Sequence, residues 1–185
     1  MTEIELKKEF LSLSNYENKL PQIKIDVIYI FSGVEKNRLV GSSLDRLKTG
    51  VKIWKELSLI QSQPPIFLFQ GSPEWYLPVK QSFDNGRFNI PKQFIRLELA
   101  KTWRNTLDQF MQIPMDLKEL KNWLIVTSFW HLPRTKRYAK KWWGDKSVYY
   151  WPTEFNKTKL NIFMPSEMNK IIKYSKIKHL SYAQE

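Results

Sequence analysis

The chain contains no cysteine. Disulfides and thiolate metal sites are therefore excluded, and a reducing, cytoplasmic compartment is the expectation. It contains only two histidines in 185 residues. Neither stands at a spacing with Asp or Glu that makes a metal triad, so no metal is expected. Apolar runs are short as well, none approaching the roughly 20 residues of a membrane span. Met1 to Lys8 carries charges where a secretory leader has its apolar stretch. The glycine-rich dinucleotide fingerprint is missing, since GSS at Gly41 and QGS at Gln70 do not satisfy it. No serine lies in a nucleophile elbow, which argues against a serine hydrolase. Internal repeats and low-complexity linkers are absent too. Acids are outnumbered, 18 against 30 Lys and Arg, leaving a net charge of +12. Scattered lysines read as solvated surface, while the cluster from Arg134 to Lys141 keeps a nucleic-acid partner as an alternative.

What is present is a hydrophobic content of 42%, enough for one globular domain spanning 1–185. Its centre is Asn122 to Arg137, NWLIVTSFWHLPRTKR. Trp123 to Val126 reads as a buried strand, Thr127-Ser128 as its polar end, and Pro133 as the first turn of a basic helix. A junction of strand, polar loop and helix is where ligands bind in open α/β sheets, and the helix start favours an anion.

The same alternation runs along the chain. Residues 2–20 read as an outer helix. Ile23 to Phe31 is nearly continuously apolar, a strand buried on both faces, ending at Ser32-Gly33. A helix follows, with Leu44, Leu47, Val51, Trp54 and Leu57 on one stripe and Lys48, Lys52 and Lys55 off it. Ile66 to Phe69 is a second strand, ending at Gln70-Gly71-Ser72. A helix starting at Pro73 or Pro78 stops at Asn85-Gly86. Phe94 to Leu97 is a third strand with Glu98 at its end. Thr102 to Ile113 is a helix capped by Asn105 or Thr106. Val148 to Trp151 is a fifth strand, and 166–176 a last helix. This pattern predicts an α/β sandwich of three layers, with a mainly parallel sheet of about five strands. The polar strand ends then converge on one edge.

At these residues the chain resembles the YdcF/SanA/ElyC family, over about residues 25–152. The strand ending in Ser32-Gly33 is followed by SSLDRL, in which Arg46 matches the family's helix arginine. FLFQGS is similar to a family strand ending in Ser-Gly-Gly, with a single glycine here. Glu98 is followed by RNTLDQ, where Asp108 and Gln109 replace the family's Glu-Asn. VTSFWHLPR is close to the family's Val-Thr-Ser, two residues, His, Met or Leu, Pro, Arg. The resemblance implies a Rossmann-like fold and a nucleotide or S-adenosylmethionine as ligand, without fixing an activity. Several relatives are anchored in the bacterial inner membrane; no such anchor is read in this chain.

The leading expectation is a site for an anionic, phosphorylated or nucleotide-like small molecule. It is lined by Ser32, Gly33, Arg46, Gln70, Gly71, Asn105, Thr106, Thr127, Ser128 and Arg134. His131 is the candidate for proton transfer, Glu98 its electrostatic partner, and Arg46 with Arg134 an anion clamp. A cation at Arg134, in a helix's first turn, opposes the helix dipole; on sequence grounds a ligand explains it best. Binding without turnover is the second reading. Trp142 and Trp143 read as one core and one surface residue rather than a base-stacking platform. His179 reads as exposed. The oligomeric state is left open.

Overall fold

The computed structural model describes residues 2–31, 42–99 and 106–177, and the side chains of all of these except Ser42 and Pro73. Eleven elements alternate in order: α1 (Glu3–Ser12), β1 (Val27–Phe31), α2 (Ser42–Ile60), β2 (Ile66–Gly71), α3 (Pro73–Asp84), β3 (Ile95–Leu99), α4 (Thr106–Met111), β4 (Asn122–Thr127), α5 (Leu132–Trp142), β5 (Ser147–Pro152) and α6 (Lys157–Lys176). The five strands form one sheet in the order β3-β2-β1-β4-β5. Every neighbouring pair is parallel. This is the Rossmann-like sandwich expected from the sequence.

Successive strand residues face opposite layers, so each strand contributes to two cores. Tyr29, Phe31, Trp123 and Ile125 pack with Phe10, Leu132, Tyr138, Leu160 and Ile171, from α1, α5 and α6. Ile28, Ile30, Leu124 and Val126 pack with Leu47, Trp54, Trp75 and Val79, from α2 and α3. Continuous apolar strands are thus explained by burial on both faces. The predicted stripe of α2 is buried from Leu47 to Leu57, with its lysines outside.

Close approach matters at Gly50. A Cβ there would lie 2.1 Å from Ile30 Cδ1 and 3.3 Å from Phe67 Cε2. The glycine lets α2 sit directly on β1. Arg46, one turn earlier on the same helix face, is thereby carried to the end of that strand.

Local rules were overridden in two places. The last helix was expected over 166–176, yet α6 begins at Lys157 and continues through Pro165. Proline removes one helix hydrogen bond, but Leu160, Met168 and Ile171 on both sides of it are anchored in the core, and packing dominates. Likewise α3 begins at Pro73 and contains Pro78, whose carbonyl accepts from Ser82 Oγ at 2.9 Å. The expected stop at Asn85-Gly86 is present, with Gly86 at φ +67°. The first helix is shorter than 2–20. Beyond a 3-10 turn at Leu13–Asn15, the chain leaves it to run beside β5. There Tyr16 Oη donates to the Tyr150 carbonyl and Asn18 Nδ2 to the Pro152 carbonyl, covering an otherwise open sheet edge. Of the tryptophan pair, Trp143 is buried and Trp142 exposed, as expected.

Candidate functional site

β1 has β2 on one side and β4 on the other, so the chain reverses its direction of winding between β1 and β4. The C-terminal ends of these two strands mark the topological switch point, where open α/β sheets hold ligands. Six of the predicted residues meet there: Arg46, Thr106, Thr127, Ser128, His131 and Arg134.

Arg46 ties the two strand ends together. Its Nε donates to Ser128 Oγ at 2.8 Å, and Nη1 donates to the Phe31 carbonyl at 2.8 Å. Beyond Phe31 the chain enters 32–41, so the expected Ser32 and Gly33 lie outside the described residues, as does Asn105.

His131 ends a single 3-10 turn, Phe129–His131, that leads into α5. Its ring bridges two threonines: Nδ1 is 3.0 Å from Thr127 Oγ1 and Nε2 is 3.2 Å from Thr106 Oγ1. Thr106 Oγ1 also accepts from Arg134 Nη1 at 2.7 Å. A hydroxyl that accepts from a guanidinium is polarised to donate onward. We therefore assign Nε2 as the acceptor and Nδ1–H as the donor to Thr127. Burial pushes the imidazole well below its usual pKa, and the charges of Arg134, Arg46 and Lys170 push it further the same way. The ring is neutral at physiological pH.

Arg134 carries the largest departure from the expected clamp. Its Nε and Nη2 donate to Glu167 Oε2 and Oε1 at 2.7 and 3.1 Å, a bidentate pair with both side chains buried. The anion that offsets a cation in the first turn of α5 is thus supplied by α6 of the same chain. A ligand is not required to explain it. Lys170 adds a second contact to Glu167, at 2.9 Å from Oε1.

Two expected residues sit one strand away and have internal work. The Tyr29 hydroxyl donates to Gln70 Oε1 at 2.6 Å, and Gln70 Nε2 donates to the Gln112 carbonyl at 2.9 Å. Gln70 thereby holds the α4 region against the sheet. Gly71 answers to packing, because a Cβ there would meet Phe69 Cε1 at 2.7 Å.

Glu98 is inside β3, an edge strand, rather than beyond its end. It pairs with Gln70, which pairs with Phe31, which stands one residue past the Ile30–Val126 pair. Three strand spacings, about 14 Å, therefore separate it from the row of Thr127. Among the described residues, the charged groups acting on His131 are Arg134, Arg46 and Lys170, all cationic. Glu98 shares the face and the sheet end with His131 without being brought to it.

Sequence reasoning missed Glu167. It lies 33 residues from its partner, in a helix not expected to begin where it does. A signal existed: Glu167 is the one acid of α6 and falls on the apolar stripe of Leu160, Met164, Met168 and Ile171. A carboxylate on a core-facing stripe needs a buried cation.

The basic helix is also turned inward. Arg137 is buried and donates through Nη1 and Nη2 to Glu9 at 3.0 and 2.7 Å. Lys136 lies over the rings of Tyr16 and Tyr150. Three of the cations that suggested a nucleic-acid surface are thus engaged within the fold. Among the described residues no helix is long and apolar enough to cross a membrane, and no group of three metal-ligating side chains gathers. Compared with known proteins, the chain matches no family model, no curated protein and no solved structure.

Proposed function

We propose that this chain is a YdcF/SanA/ElyC-like domain that binds an anionic, phosphorylated or nucleotide-like small molecule at the C-terminal ends of β1 and β4. The observation that carries the reading is the concentration of donors at the switch point. Arg46 bridges both strand ends there, the hydroxyls of Thr127 at the end of β4 and of Ser128 just after it stand beside it, and the neutral His131 lies among cations. An anion in that position is favoured by the surrounding positive charge and by the start of α5.

Arg46 is the principal anion holder in this reading. Arg134 acts at one remove, orienting Thr106 and, through it, His131. If the bound compound is transferred or hydrolysed, His131 is the group placed to take a proton, relayed to Nε2 by the Thr106 hydroxyl. The nucleic-acid alternative is the second reading: Arg134, Arg137 and Lys136 are engaged internally, which leaves Lys140 and Lys141 as the exposed part of the basic cluster.

Calorimetric titration with inorganic phosphate and with a nucleotide tests the reading. Charge-assisted hydrogen bonds contribute roughly 1.5–3 kcal/mol each. Arg46→Gln should therefore weaken binding by about tenfold or more. Its melting temperature serves as the check on folding. No binding to the wild type, or equal affinity in a folded Arg46→Gln variant, removes the proposal.

A further inference from the structure

Beside the switch point lies a cavity of about 410 Å³, walled by the first turns of α2, the β4–α5 loop and the segment from β5 into α6. That volume falls within the roughly 300–1,000 Å³ of small-molecule sites. Its wall includes Asp45, Lys48, Trp130, Thr153, Glu154 and Lys159. Two of these are the chain neighbours of Arg46 and His131, so cavity and switch point adjoin through Asp45-Arg46 and Trp130-His131.

The chemistry of the wall is selective. Two carboxylates, Asp45 and Glu154, and two ammonium groups, Lys48 and Lys159, line it, and among the described residues the rest of the wall is uncharged. Charges of opposite sign in equal number give no net preference for an ion. They also make the cavity a poor place for a purely apolar group, whose entry would strip water from four charges. A neutral group with donors and acceptors on every side meets neither objection.

Trp130 adds an independent observation. The residue is 7% exposed and its ring stacks on Phe163, with centroids 4.6 Å apart and planes 17° from parallel. Trp130 lines the cavity, and among the described residues its indole N–H has no partner. A donor left without a partner can serve an acceptor from outside. The Thr153 side chain is also buried, and its backbone is fixed by donation to the Thr127 carbonyl at 2.8 Å. The ion pair from Lys159 to Asp45, 3.4 Å long and about half exposed, is weak enough to be exchanged for ligand hydroxyls.

We infer that this cavity is a subsite for a neutral polyhydroxylated group, a sugar ring, whose phosphate lies at the switch point. The ligand class is then a sugar phosphate, free or as part of a nucleotide. This rests on the anion-binding reading above and extends it: Arg46 would hold the phosphate, and Asp45, Thr153 and the Trp130 N–H the hydroxyls.

The test is calorimetric titration with three probes, inorganic phosphate, ribose and ribose 5-phosphate, against the wild type, Trp130→Phe and Asp45→Asn. Trp130→Phe keeps an aromatic ring against Phe163 and removes the N–H. Asp45→Asn changes a partly exposed side chain, so the folded protein is assured if the first variant unfolds. Ribose 5-phosphate should bind the wild type at least tenfold more tightly than phosphate. Either variant should lower its affinity about fivefold or more while leaving that for phosphate unchanged. Equal affinities for phosphate and ribose 5-phosphate would overturn the subsite and leave the anion site standing. Ribose binding that both variants weaken, without any phosphate binding, would uphold the subsite and overturn the anion site. Binding of none of the three overturns both.

Discussion

Arg134 and Arg137 stand one turn apart on α5, and each buries its guanidinium against a glutamate from another helix. Arg137 meets Glu9 of α1 at 2.7 Å, and Arg134 meets Glu167 of α6 at 2.7 Å. They differ in a further contact. Arg137 Nη1 also donates to the Pro133 carbonyl of its own helix, at 2.8 Å. Arg134 Nη1 donates instead to Thr106, whose hydroxyl meets His131. One pair fastens a helix. The other fastens a helix and also sets the hydrogen-bonding state of the ring at the switch point. Two similar ion pairs on one helix thus have separable effects, one on stability alone and one on stability and the site.

Breaking the two pairs should show that difference first in stability. Removing one partner of a buried pair leaves an uncompensated charge, at a cost of about 3–5 kcal/mol. Glu167→Leu should reach that range in urea denaturation. Glu9→Leu should cost less, roughly 1–3 kcal/mol, because the Glu9 side chain is 20% exposed and water reaches the arginine once it is gone. The double variant Arg134→Met with Glu167→Leu should recover most of the loss, since apolar replacement of a whole buried pair is often neutral. Failure of the double variant to recover would mean that Arg134 holds more than Glu167.

A smaller effect is expected at Gly50, on the opposite face of the sheet. Ala there must displace the tip of Ile30, and overpacking of this kind costs about 1–3 kcal/mol. Because α2 would then shift away from β1, anion affinity should fall along with the melting temperature. A stable Gly50→Ala protein with unchanged affinity would show that the placement of Arg46 does not depend on this contact.

These contrasts also show what the sequence could reveal. Short-range patterns were legible. The strands were marked by continuous apolar runs, α2 by its stripe, and the end of α3 by Asn85-Gly86. Six of the expected site residues meet because strand ends and helix starts are set by those same local patterns. Long-range pairing was not legible. No local feature of α5 says that Arg134 is answered by Glu167 or Arg137 by Glu9. Nor does β3 announce that it lies at the sheet edge, which is what separates Glu98 from His131. Strand order is decided by crossovers and packing, and Pro165 shows packing overruling the strongest local helix breaker.

The smallest stability effect should come from His131 itself. Its folded pKa lies below the unfolded value of about 6.5, so the unfolded chain binds the extra proton between the two. The contribution is therefore intact above about pH 6.5 and is lost as pH falls toward the folded pKa. Its slope is at most about 1.4 kcal/mol per pH unit. Thr127 and Thr106 bond the ring, and Arg134, Arg46 and Lys170 are the described charges that act on it. The difference in unfolding free energy between wild type and His131→Gln should therefore grow with pH from acid up to about 6.5 and then level off. A pH-independent difference would contradict burial of a neutral ring.

The most direct measurement is the His131 titration followed by NMR of the ring, with and without phosphate. Two histidines in the chain make the spectrum simple, and the His131→Gln variant assigns the signal. An anion held at the switch point stabilises the imidazolium and opposes the field of Arg46, Arg134 and Lys170. Phosphate should therefore raise the His131 pKa toward its ordinary value, saturably. Replacing Glu9 should leave that response intact, whereas the Arg134→Met and Glu167→Leu double variant should alter it. A His131 pKa that stays unchanged as phosphate is raised to millimolar concentrations would contradict the assignment of this site to an anion.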